Sequence, residues 1–70
     1  MQTEYVVSGM TCDHCVAHVT QEVSALPGVQ AVNVSLDGRM VVTSENPVDF
    51  PAIQEAVDEA GDYTVALAGN

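Results

Sequence analysis

"VNVSLDGRMVV", residues 32–42, decides the fold of this 70-residue chain. Val32, Val34 and Leu36 alternate with polar residues before Asp37-Gly38, and Met40 and Val42 share one face after it. Such a pattern describes two amphipathic strands joined by a dipeptide suited to a tight turn. An antiparallel hairpin is expected at the centre of the chain.

The segments on either side of the hairpin mirror one another. Upstream, Val16, Val19, Val23 and Leu26 recur at three- and four-residue intervals between Asp13 and Leu26, and Pro27-Gly28 follows. That spacing predicts an amphipathic helix with a clear stop. Before it, "TEYVV" (residues 3–7) places Tyr5 and Val7 on one face of a strand that Gly9 interrupts. Downstream, Asp49 stands at an N-cap position and Pro51 in a first turn, Ile53, Ala56, Val57 and Ala60 form one stripe, and Gly61 stands at a C-terminal cap. "DYTVAL" (residues 62–67) then alternates Tyr63, Val65 and Leu67 as a closing strand. The order is β-α-β-β-α-β. It predicts an α+β fold, a ferredoxin-like sandwich with both helices on one face of a four-stranded antiparallel sheet, in a single domain over residues 1–70.

Charge narrows the function classes. Ten Asp and Glu residues against one Arg give a formal charge of −9. A surface of that sign repels nucleic acid phosphates and anionic membranes and attracts basic proteins, so no nucleic acid partner is expected. No apolar run approaches the ~18 residues of a membrane span, and the N-terminus lacks a basic n-region, so no direct membrane insertion is expected. The reading is a cytoplasmic protein, whose two cysteines act as thiols in a reducing compartment.

Both cysteines lie in "GMTCDHC", residues 9–15, between the first strand and the first helix. Unpaired N–H groups at a helix start favour the thiolate, whereas Asp13 and the overall charge oppose it; a modest net lowering of the thiol pKa is expected. Soft thiolates select Cu(I), Zn(II) and similar ions. A closed zinc site takes four ligands, and the chain has no second C-x-x-C. Cu(I), content with two or three ligands, suits Cys12 and Cys15 better, and an open site can pass its ion to an incoming thiolate. Three rival uses of the motif are weaker. A disulfide across so short a loop constrains the unfolded chain little. Thioredoxin-like redox couples belong to longer domains, and haem attachment needs a histidine where Val16 stands.

Neighbouring residues could modulate the clamp. His14 and His18 stand one helical turn apart and point to solvent, with His14 a candidate third ligand or pH-responsive neighbour. A zinc site built from both cysteines and one histidine stays open on spacing alone. Met10 is read first as a core anchor for the loop and second as a thioether ligand. Tyr63, at the start of the last strand, is expected at the same end of the sheet as the cysteines.

These residues in this order resemble the heavy-metal-associated domain family, and within it the small bacterial copper chaperones of the CopZ type. "GMTCDHC" matches the family's G-M-T-C-x-x-C loop, "LPGVQAVNVSL" its first-helix exit and second strand, and "IQEAVDEAG" its second helix. The resemblance implies a non-enzymatic Cu(I) metallochaperone in which Cys12 and Cys15 bind the ion and Met10 anchors the loop. It implies delivery to a copper-transporting P-type ATPase, whose docking surface would be basic or apolar since Arg39 is the only cation here. A Cu(I)-bridged homodimer is a further implied state. Alternatives are an excised N-terminal domain of such an ATPase, a Zn(II) or Hg(II) binding module, and a thiol oxidoreductase. The chain departs from the family at "AGDYTV", where Asp62 separates Gly61 from Tyr63.

Overall fold

The computed structural model describes residues 1–68. Six elements follow in order: β1 (Gln2–Ser8), α1 (Asp13–Ser24), β2 (Val29–Val34), β3 (Arg39–Ser44), α2 (Phe50–Ala60) and β4 (Thr64–Leu67). The strands form one sheet in the order β2-β3-β1-β4, with every neighbouring pair antiparallel. The two central strands are therefore far apart in sequence, and each helix crosses the sheet to return the chain to an edge.

Alternation along the strands sorts residues between the two faces. Tyr5 pairs with Met40 and Thr3 with Val42, so Tyr5, Val7, Met40 and Val42 share the face that receives Val19 and Val23 of α1 and Ile53, Ala56 and Val57 of α2. These nine residues are the core. The Tyr5 and Phe50 rings add an aromatic contact at its margin, with centroids 6.3 Å apart. The opposite face carries Glu4, Val6 and Arg39, where Arg39 Nε lies 2.8 Å from Glu4 Oε2 in an exposed ion pair of small energetic worth. The architecture is the ferredoxin-like fold that the element order implies.

The hairpin differs from the sequence reading in one respect. β2 ends at Val34, and Leu36 falls in the turn, 48% exposed. Ser35 N–H donates to Arg39 O at 2.8 Å and Gly38 N–H to Ser35 O at 2.9 Å, so the loop is Leu36-Asp37-Gly38, one residue longer than the dipeptide alone suggests. Gly38 has φ of +106°, and a Cβ there would lie 2.5 Å from Val7 O. The turn must hug β1 at this point, and Val7 N–H donates to Gly38 O at 2.7 Å. Leu67 is also exposed, at 61%, because it lies on the edge strand beyond the cover of α2. Asp49 does occupy the N-cap of α2, but its carboxylate makes no capping hydrogen bond.

Candidate metal centre

Three connections meet at one end of the sheet: the β1–α1 loop, the β2–β3 turn and the α2–β4 connection. Cys12 is the N-cap of α1, extended at φ −156° and ψ 170°, and its side chain caps nothing. Its carbonyl accepts from Cys15 N–H at 3.0 Å and from Val16 N–H at 3.4 Å, which opens the helix. The first cysteine thus marks the helix start and the second is its third residue. That single turn brings the two sulfurs to 3.5 Å of each other. Both cysteines are free thiols, Cys12 exposed and Cys15 half-buried. Two metal–thiolate bonds of about 2.3 Å can span sulfurs up to ~4.6 Å apart, so one thiophilic ion is within bonding reach of both.

Cys15 is the more acidic thiol. Its pKa falls from an ordinary 9.0 to about 6, first because the Tyr63 hydroxyl reaches toward its sulfur, then through a backbone hydrogen bond at Thr11 and the neighbouring Cys12 thiol. The same contact pushes Tyr63 up to about 12, since a phenolate beside a thiolate is disfavoured. The expected modest lowering is therefore exceeded, and the main cause lies outside the helix. Tyr63 reaches Cys15 despite the intervening Asp62 because two glycines clear its path. A Cβ on Gly61 would lie 2.9 Å from Tyr63 Cε2, and one on Gly9 would lie 3.1 Å from Asp62 O and 3.3 Å from Tyr63 Cδ1. Gly9 and Gly61 were legible only as a strand breaker and a helix cap; their second role, seating the Tyr63 ring between two loops, depends on the packing.

The other named residues are placed as follows. Met10 is half-buried and packs against the core. His14 and His18 are exposed on α1. Among the described residues no group of three or more His, Cys, Asp or Glu is arranged to hold a metal, so neither histidine joins the two cysteines in a ligand cluster. Among the described residues, too, no helix is long and apolar enough to cross a membrane.

Residues 4–62 match the family model of the heavy-metal-associated domain. The chain belongs to this family. It is 40% identical over 62 residues to the copper chaperone CopZ of Bacillus subtilis, spanning 86% of this chain and 88% of that one. It is 40% identical over 62 residues to the COP-associated protein of Helicobacter felis, spanning 87% and 94% respectively. Among solved structures, a copper binding domain from a P-type ATPase superimposes with a TM-score of 0.85 at 27% identity, covering 97% of this chain and 93% of its own.

Proposed function

We propose that this chain is a cytoplasmic, non-enzymatic Cu(I) metallochaperone that holds the ion between Cys12 and Cys15 and passes it by thiolate exchange to a copper-transporting P-type ATPase. The observation that carries the reading is the pair of free sulfurs 3.5 Å apart on an open loop, with no His, Asp or Glu joining them in a three-ligand group among the described residues. Two thiolates satisfy Cu(I) while leaving it open to attack, whereas a closed zinc site requires four ligands. The similarity to CopZ of Bacillus subtilis supports copper as the cargo, and the likeness to an ATPase domain supports a partner built on the same fold.

Transfer proceeds without redox change. A partner thiolate adds to the bound Cu(I), giving a three-sulfur intermediate; one cysteine of this chain then leaves, and a second exchange completes the hand-over. The lowered Cys15 pKa keeps that sulfur deprotonated near neutral pH, so it competes for the ion without first losing a proton. The acidic surface suits a basic docking face on the recipient.

An anaerobic Cu(I) titration against a competing chelator tests this reading. Cys12→Ser and Cys15→Ser should each weaken binding by more than the roughly 10–100-fold that loss of an outer-shell partner costs. Retention of tight binding by the double variant would refute the assignment. Turnover of a disulfide substrate such as insulin would favour an oxidoreductase instead.

A further inference from the structure

The two edges of the sheet are finished differently. At the β2 edge, the register with β3 shifts between Val29 and Ala31. Such an irregularity bends a strand and discourages another chain from pairing with it. At the other edge, β4 pairs with β1 from Ser8 opposite Thr64 to Tyr5 opposite Leu67 without interruption. Ala68 N–H donates to Glu4 O at 3.0 Å. Antiparallel alternation then turns the backbone groups of residues 64, 66 and 68 toward β1 and those of Val65 and Leu67 outward. The edge carries no charge and no proline to guard it, and Leu67 stands 61% exposed at its end.

A groove of about 410 Å³ runs beside this edge, between β4 and α2, lined by Gln54, Glu55, Asp58, Tyr63, Thr64 and Val65. Its helical wall is acidic, with Glu55 and Asp58 both exposed. The one Lys or Arg side chain of the sequence, Arg39, is engaged with Glu4 on the far side of the sheet. An edge strand with free backbone groups, bordered by a helix across a groove, is the arrangement by which folded domains accept an extended peptide as an added strand.

We propose that the α2–β4 groove docks an extended segment of a partner protein with Lys or Arg at alternate positions, added to β4 as a fifth strand. Its backbone bonds to the outward N–H and C=O groups of Val65 and Leu67. Side chains on one face of the segment reach Glu55 and Asp58; those on the other lie level with Thr64 and Ala66 on the open face of the sheet. A second copy of this chain is disfavoured as occupant. Pairing β4 with β4 would bring together two α2 helices with the same acidic wall, on two chains of −9 each. The site does not depend on the metal reading, although Tyr63 lines the groove and also reaches Cys15.

The test uses the metal-free, reduced chain, labelled with ¹⁵N and titrated with a synthetic nine-residue peptide that alternates Lys with Thr and Val. The expected result is amide shifts confined to Thr64–Leu67 and Gln54–Asp58, with slowed hydrogen exchange at Val65 and Leu67. A peptide of equal charge with Pro in place of Thr and Val cannot form a ladder and should bind at least about ten-fold more weakly. Leu67→Pro should abolish binding, since its N–H faces away from β1 and its ring would obstruct the edge. Glu55→Gln with Asp58→Asn leaves the backbone unchanged and should weaken binding by about ten-fold while flattening its salt dependence. Equal binding of the Pro peptide, undiminished binding to a folded Leu67→Pro chain, or shifts centred elsewhere would each overturn the proposal. So would protection of the β4 amides on raising protein concentration without peptide, which would identify a second copy as the occupant.

Discussion

The two ends of the sandwich use their polar groups in opposite ways. Away from the cysteines, Ser44 is buried and donates its hydroxyl to Asn46 O at 2.7 Å, while its N–H donates to Met1 O and its carbonyl accepts from the Met1 ammonium, both at 2.8 Å. Glu45 N–H donates to Gly28 O at 3.3 Å, so the starts of β1 and β2 and the end of β3 are tied together. At the cysteine end the loops approach through glycines, and the two cysteines are free thiols, Cys12 exposed and Cys15 half-buried. The closed end satisfies its donors and acceptors internally and so contributes to stability. The open end leaves soft lone pairs accessible, which is what exchange with another protein requires.

Three substitutions test this contrast. The largest effect is expected for Ile53→Ala, in the core that both ends share. Ile53 is fully buried, and its truncation should cost about 2–5 kcal/mol in chemical denaturation. Because the clamp is set by one local helical turn, Cu(I) affinity measured well below the melting temperature should change little; a parallel collapse of affinity would show that the clamp depends on the core.

Gly38→Ala should come next. The position combines positive φ with a Cβ 2.5 Å from Val7 O, and a loss of about 1–3 kcal/mol is expected from the forced displacement. Since this turn lies at the cysteine end, a thermal melt of the variant measures how much stability that end does contribute. An unchanged melt would mean the turn yields freely.

Tyr63→Phe should have the smallest effect on stability and the clearest on chemistry. Loss of the hydroxyl removes the largest cause of the lowered Cys15 pKa, so the midpoint of Cys15 alkylation by iodoacetamide should rise from about 6 toward 9. The sign for folding follows. A thiol with a lowered pKa in the folded state stabilises the fold fully above its unfolded value near 9, progressively less as pH falls toward 6, and not at all below. The variant should therefore show a flatter dependence of stability on pH across that window. An alkylation midpoint still near 6 would remove Tyr63 as the cause.

Much of this arrangement was legible in residue order. The βαββαβ sequence of elements follows from strand alternation, helical spacing and Gly/Pro punctuation, each of which acts over a few residues. The approach of the two cysteines is equally local, because one helical turn sets it. Leu36 and Leu67 show where periodicity misleads: both continue an apolar alternation, yet one falls in a turn and the other on an edge that no helix covers. Alternation tells which face a residue shares, while burial depends on what lies opposite. The acidity of Cys15 was underestimated for a related reason, since its main cause is a hydroxyl brought from the far end of the chain.

By itself, then, the sequence determined the elements, their order and the thiolate pair, because backbone sterics, hydrophobic period and helical pitch operate within short stretches. Only the tertiary structure decided that the Tyr63 hydroxyl would lower the Cys15 pKa, that Gly9 and Gly61 would make room for the Tyr63 ring, and that β4 would be the unblunted edge beside an acidic groove. Those features arise where segments distant in the chain meet, and the distances between them are set by the packing of the whole core.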